Sequence, residues 1–398
     1  MIAVIADDFT GAAEIGGIGL RRGLKTVIET SVVRPGDTDL LIIATDTRSG
    51  TAADSIFQTE KITKQLLKLN PLFIYKKLDS VLRGNVAEEL LAQMRISGKT
   101  RAIVVAGNPN LGRIIKDGVY YVNGIPVAET FFAQDPEFPV HSSLVTEIIG
   151  AQRPGIYSLS VERRLPDKSL IFGDVESESE MEKWAGEMDG NTIPAGGAGF
   201  FDTLLSIRFP EISHPGGEIC QLGNKVLFVF GSAYPKDSEY TLLLEQRGFS
   251  LMVMPERIYQ EKTISLMLMN TWAEDMAKRI AGYGRVIMSV SQTAGYNAAY
   301  SAKIRDCMGK AVRKVFENIS VDDLLIEGGA TTSVILKYLG VSKLIPFREL
   351  DSGVIQMKTG RYPGLCITTK PGSYVWPECL ILDGDMGNER KSDLKNHK

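Results

Sequence analysis

The sequence predicts an α/β protein made of two doubly wound, mainly parallel-sheet domains with a cleft between them. Three observations carry that expectation. Short apolar runs of strand length end in polar or glycine-rich tips and alternate with segments of helical period. The chain, at 398 residues, is longer than one typical domain. A stretch at 208–224, holding two prolines, three glycines and little periodicity, interrupts the alternation once near the middle.

Taken in order, residues 2–6 (IAVIA) read as a buried strand with Asp7 and Asp8 at its tip, and Thr10-Gly11 opens a helix over 12–22. Further strands are expected at 25–29 and 40–44, the second ending in Thr45-Asp46-Thr47-Arg48-Ser49. A helix over 53–69 and a strand at 72–75 follow, delivering Lys76, Lys77, Leu78, Asp79 and Ser80, with Arg83 just beyond. Asn85 reads as a helix N-cap, with Glu88 completing a capping box. A strand at 102–106 leads into 113–139, a hairpin insertion with Asn123-Gly124 at its tip. A strand at 170–174, a helix at 178–188 and the small-residue run Ala195 to Gly199 complete a first domain, 1–212.

The second domain, 222–383, restarts the same logic. A strand at 225–230 ends in Gly231-Ser232, and helix 240–247, strand 285–290 and a long amphipathic helix at 298–318 follow. The strand at 323–326 ends in Glu327-Gly328-Gly329-Ala330-Thr331-Thr332, with a helix running on to 339. A strand and turn occupy 364–372, and 384–398 is a charged tail expected to be disordered.

Composition removes several function classes. The chain is 44% hydrophobic and 23% charged with a net charge of -3, so no basic excess points to nucleic acid. Four widely spaced cysteines and three histidines form no zinc pattern and read as reduced thiols and ordinary imidazoles. No apolar run approaches the roughly 18 residues of a membrane span. Residues 1–6 lack a positive leader and meet Asp7-Asp8 too soon for a signal peptide, so a cytoplasmic location is expected.

Chemistry gathers at the tips. In a parallel sheet the strands' carboxyl ends share one edge, so Asp7/Asp8, the 45–48 tip and the 76–83 tip should converge. Arg48, Lys77 and Arg83 suit a small anionic ligand, and a nearby carboxylate could orient or deprotonate a hydroxyl. Read singly, each tip is an ordinary salt-bridged strand end. In the second half the tips Gly231-Ser232 and Gly328 to Thr332 are nearly uncharged, and Lys370-Pro371-Gly372 adds a lysine beside a glycine turn; free backbone N–H groups at a helix start favour phosphate. No GxxxxGK[ST] occurs. Gly17-Ile18-Gly19 begins a dinucleotide fingerprint but lies inside the expected helix and lacks the last glycine in place.

Ordered along the chain, these segments resemble the four-carbon acid sugar kinase family, the ATP-dependent kinases of threonate, erythronate and oxo-tetronates. IADDFTGA at 5–12 is similar to the family's ADD-L/F-TGA opening, and KKLDSVLRGN at 76–85 to its K-x-DS-T-LRG block, with Val81 for threonine. GNPNLGRIIKDGVYYVNGIPVAET at 107–130, VFGSAY at 229–234 and EGGATTSVILKYLG at 327–340 resemble three more family segments. One departure stands out: where the family closes with K-x-GG-F-G, this chain reads Lys370-Pro371-Gly372-Ser373-Tyr374-Val375.

The resemblance implies an acid-sugar-binding first domain and a nucleotide-binding second one. It implies that Asp8, Arg48, Lys77, Leu78, Asp79 and Ser80 hold the substrate, with Arg83 beside them, and that Ser232, Gly328, Gly329, Ala330, Thr331 and Gly372 line the nucleotide. The expected reaction moves the γ-phosphoryl group of ATP to the C4 hydroxyl of the acid, with Mg²⁺ bridging the phosphates and no residue assigned to the metal. Asp8 is the expected catalytic carboxylate and Asp79 the reserve. Partners are then the sugar acid and ATP, with neither nucleic acid nor membrane; oligomeric state, a homodimer included, stays open. Two alternatives stand beside this reading: a catalytically weak module that binds acid sugar or nucleotide, and an NAD-linked hydroxy-acid dehydrogenase.

Overall fold

The computed structural model describes residues 1–30, 33–34, 36–135, 138–150, 154–207, 209–210, 221–231, 236–261, 265–291 and 298–380. Most of the 208–224 break and the whole 384–398 tail therefore lie outside the described residues.

The described strands of both halves join into one fifteen-stranded sheet. From one edge, its second-half portion runs Ser250–Val253, Arg285–Ser289, Val226–Phe230, Asp323–Glu327, Cys366–Lys370, Val354–Lys358 and Lys343–Asp351. The first-half portion continues Thr26–Thr30, Leu40–Ala44, Ile2–Ala6, Ile74–Lys77, Thr192–Gly196, Arg101–Val105, Ser169–Gly173 and Ile156–Leu159. Neighbours are parallel within each portion except around one hairpin. Lys343–Asp351 pairs antiparallel with Val354–Lys358 and also with Thr26–Thr30, while Val354–Lys358 pairs antiparallel with Cys366–Lys370. That hairpin joins the two halves, and the sequence reading missed it because 343–358 mixes charge and apolar residues without a clean period.

Three antiparallel steps reverse the direction of one half relative to the other, which in a flat sheet would send their strand tips to opposite edges. Twist compensates. Six strand-to-strand steps separate Asp323–Glu327 from Ile2–Ala6, and at roughly 20–25° per step they accumulate about 120–150° of rotation. The reversed tips are thereby turned back towards one another.

Side chains alternate between the two faces of the sheet as period two requires. Ile2, Val4 and Ala6 join one core that extends under both halves as far as Leu227, Val229 and Ile367. Ala3 and Ile5 face the opposite side, beneath the helix Ala52–Leu67. The helix Phe9–Arg21 lies along the shared core, and Gly17 lets it approach the bridging hairpin: a Cβ there would stand 2.6 Å from Ile355 Cδ1. The glycines that imitate a dinucleotide fingerprint are thus packing residues within a helix.

Several boundaries differ from expectation. Ile74–Lys77 is the strand, so Lys76 and Lys77 belong to it rather than to a loop past its end, and Lys76 is buried in an ion pair with Glu89. Asn85 makes no capping bond through its side chain; its Nδ2 instead donates to Gly50 O at 3.0 Å and Ser55 Oγ at 2.9 Å, tying two tips together. The insertion forms a separate three-stranded sheet, Arg113–Lys116, Val119–Val122 and Ile125–Pro126, with Asn123 and Gly124 at φ 51° and 78° in its tight turn, as expected. No described helix is long and apolar enough to cross a membrane.

Candidate active site

Asp8 caps the opening helix. Its Oδ1 accepts from Gly11 N at 2.9 Å and its Oδ2 from the Thr10 hydroxyl at 2.6 Å. Arg48, on the neighbouring tip, binds Asp7 through two hydrogen bonds of 2.9 and 3.0 Å and lies 3.0 Å from Asp8 and 3.3 Å from Asp79. Burial alone would push the Asp8 carboxyl up. Arg48, Lys77 and the bonds from Thr10 and Gly11 outweigh it and hold the group below the usual carboxylate range.

The next tip is built around Asp79, whose Oδ2 accepts from Val81 N, Arg83 N and Arg83 Nε at 3.2, 3.2 and 2.8 Å. Leu82 sits at φ 63° to close this loop, a left-handed conformation that branched aliphatic residues rarely adopt. Burial opposes ionisation of Asp79, yet Arg83 and Arg48 overcome it and drive its carboxyl far below the ordinary value. Its role here is to hold two guanidinium groups.

Leu78 departs from expectation. Its side chain is buried in an apolar cluster with Val81, Val86 and Val104, and only its carbonyl takes part, accepting from Lys77 Nζ at 3.0 Å. Lys77 Nζ additionally lies 3.3 Å from Glu14.

The glycine turns of the second half meet this cluster directly. Gly231, Gly328, Gly329, Ala330, Thr331 and Gly372 share a cleft of about 240 Å³ with Asp8, Arg48, Lys77, Asp79, Ser80 and Arg83. Gly329 opens the helix Gly329–Leu339, and a Cβ on it would stand 2.3 Å from Asp8 Oδ2. A helix start from the second half is therefore pressed against the capping carboxylate of the first. Gly231 leaves room for Thr331, whose Oγ1 would be 2.2 Å from a Cβ there. Ser232 lies outside the described residues.

Beneath the glycine turn, Glu327 and Lys370 form a fully buried pair at 2.9 Å, and Trp376 Nε1 donates to the same carboxylate at 3.2 Å. Lys370 Nζ also donates to the carbonyls of Pro371 and Tyr374, so the altered closing turn is clamped from below. Tyr374 reaches across to the first half, its hydroxyl donating to Glu14 Oε1 at 2.7 Å. Tyr374 thus ties that turn, through Glu14, to Lys77.

The sequence reading also passed over Asp46 and Arg113. Asp46 belongs to the 45–48 tip, but nothing in the sequence marks its left-handed backbone, φ 54°. Its side chain lies exposed in the cleft, which Asp8, Arg48 and Arg305 also line. Arg113 enters from the insertion and donates to the Ser80 hydroxyl. Among the described residues no three carboxylate, histidine or cysteine side chains converge as a metal cluster would.

Residues 2–203 match the family model of a sugar-binding N-terminal domain and residues 228–374 that of a nucleotide-binding C-terminal domain. A D-threonate kinase of Salmonella typhimurium is 36% identical over 152 residues, and a D-erythronate kinase of Heliobacterium modesticaldum 35% identical over 159. Those alignments take in 37% and 38% of this chain and span 36% of each relative's length. A D-threonate kinase of Bordetella bronchiseptica aligns over 98% of both chains at 24% identity. The fold matches a solved protein of Salmonella typhimurium at a TM-score of 0.72 and 18% identity, covering 96% of this chain and 97% of that one. A Haemophilus influenzae protein matches at 0.68 and 18%, covering 95% and 98%.

Proposed function

The chain belongs to the family that joins a sugar-binding N-terminal domain to a nucleotide-binding C-terminal domain, the four-carbon acid sugar kinases, and from that membership we infer that it transfers the γ-phosphoryl group of ATP to the C4 hydroxyl of a four-carbon sugar acid. The observation that supports this reading most directly is the contact of Gly329 with Asp8. It brings a helix start rich in free N–H groups against a carboxylate fit to hold a hydroxyl.

In this reading the backbone of Gly328 to Thr331 cradles the phosphates, and Asp8 aligns the attacking hydroxyl with the terminal phosphorus. Asp8 is a weak base, which suits a loose transition state in which positioning and charge neutralisation dominate and the proton leaves late. Asp46, exposed in the same cleft, offers a solvent-facing carboxylate to which that proton can pass. Arg48 fixes Asp7, Asp8 and Asp79 in place. Mg²⁺ bound with ATP would neutralise phosphate charge; the absence of a three-ligand cluster among the described residues suits a cation held mainly by phosphates and water, with Asp8 or Asp46 completing its shell.

The test is ADP release with Mg-ATP across threonates, erythronates and oxo-tetronates. One acid at least should drive stoichiometric ADP formation and yield a 4-phosphate. Acids that raise the melting temperature without any ADP release would replace the kinase by a binding module.

A further inference from the structure

Among the described residues five cationic side chains line the cleft: Arg48, Lys77, Arg83, Arg113 and Arg305. Their surroundings differ. Arg48 lies among three carboxylates, Asp7, Asp8 and Asp79, at 2.9, 3.0 and 3.3 Å. Arg83 is shared by Asp79 at 2.8 Å and Asp135 at 2.7 Å, and Lys77 faces Glu14 at 3.3 Å. Arg305 stands near Asp46. Arg113 forms no ion pair among the described residues, although Asp79 and Asp135 line the same cleft in pairs with Arg83. It donates to the Ser80 hydroxyl, and its guanidinium carbon sits 5.9 Å from the centre of the Phe132 ring, which also underlies Arg83 at 5.3 Å.

A ligand carboxylate arriving at Arg48 would stand beside three groups of its own sign. At Arg113 it would meet a guanidinium that holds a hydroxyl and pairs directly with no carboxylate among the described residues. We propose that Arg113, together with the Ser80 hydroxyl, receives the carboxylate of the acid substrate and so decides which end of the molecule faces Asp8. This assignment rests on the sugar-acid reading above and adds the substrate's orientation to it.

The site is built to hold still. Arg113 is paired with Asn108 through both its N–H, 3.1 Å, and its carbonyl, 2.7 Å, and the Ser80 carbonyl accepts from the Tyr120 hydroxyl at 2.5 Å. A guanidinium so fixed can offer a carboxylate two parallel N–H donors, a geometry lysine lacks. With the acid group anchored on the insertion side, the far hydroxyl is left for Asp8 and the glycine turn. The carbon next to the carboxylate is kept away from them. Selectivity for C4 over C2 follows from that polarity.

Calorimetric binding without nucleotide tests this on the full chain, using D-threonate, D-erythronate and the neutral tetritols threitol and erythritol. Wild type should bind at least one acid, and bind tetritols on the order of 100-fold more weakly. Arg113→Gln retains a donor for Ser80 but no charge. It should lose on the order of 100-fold in acid affinity and leave tetritol and ATP affinities where they were. Arg113→Lys should fall between and narrows the preference by about tenfold; if the glutamine variant does not fold, this variant alone decides. A preference for acid over tetritol that survives the substitution overturns the proposal, as does an equal loss for both ligand types. Wild-type protein that binds none of the acids would overturn the sugar-acid reading itself, and this assignment with it.

Discussion

Replacing Asp8 by asparagine separates its catalytic part from its structural one. Asparagine keeps an oxygen to accept from Gly11 N, so the helix cap survives, but the charge facing Arg48 at 3.0 Å is lost. Removing one partner of a buried ion pair commonly costs about 3–5 kcal/mol because the other charge is stranded. Here Arg48 retains Asp7 at 2.9 Å and Asp79 at 3.3 Å, so the loss should be nearer 1–2 kcal/mol, that of a charged hydrogen bond. Alanine removes the cap as well and should cost about 1 kcal/mol more. Turnover should fall on the order of 100- to 10,000-fold in both variants, with ATP affinity little changed. Coupled ADP release and urea titration measure the two effects. Because the folded carboxyl is held below its ordinary value, its stabilising contribution is present above about pH 4 and fades as pH falls below that, so the stability gap between wild type and asparagine variant should close in acid. Turnover within about threefold of wild type would remove Asp8 from the chemistry. Equal stability of the two variants would remove it from the cap.

Asp46→Asn tests the proton's route out of the cleft: turnover should fall on the order of 100-fold with ATP affinity little changed, and coupled ADP release within about threefold of wild type would remove Asp46 from that route. Gly329→Ala would force a Cβ to within 2.3 Å of Asp8 Oδ2 and 3.0 Å of Thr10 Oγ1. The helix start must then retreat, costing about 1–3 kcal/mol of stability and raising KM for both substrates, which steady-state kinetics reads directly. Unchanged constants would mean that the contact is not part of the working site.

Much of this was legible in the chain because buried parallel strands carry a strong local signal. Ile2–Ala6, Leu40–Ala44 and Asp323–Glu327 are apolar runs closed by polar tips, and within each half the tips of parallel strands gather on one edge. What stayed hidden depends on contacts distant in sequence. Leu78 reads as one more member of a charged loop, and only the packing against Val86 and Val104 turns it inward. Asp79 looks like any catalytic carboxylate until Arg83 and Arg48 are seen to close on it. Asp46 and Arg113 sit in plain view, one on a tip and one in the GR of the insertion. Their places in the cleft come from a left-handed backbone at Asp46 and from the insertion folding back so that Arg113 reaches Ser80, and neither is written in residue order.

The strand Lys343–Asp351 borders the first half on one side and the second on the other. The seam to the first half is narrow, Lys343 against Glu29 and Leu344 against Ile28, so tightening around a substrate would bend a short ribbon of main chain as a leaf spring bends. Expressing either half alone would strip that ribbon of a neighbour and expose a raw margin of unpaired N–H and C=O groups, an invitation to clump.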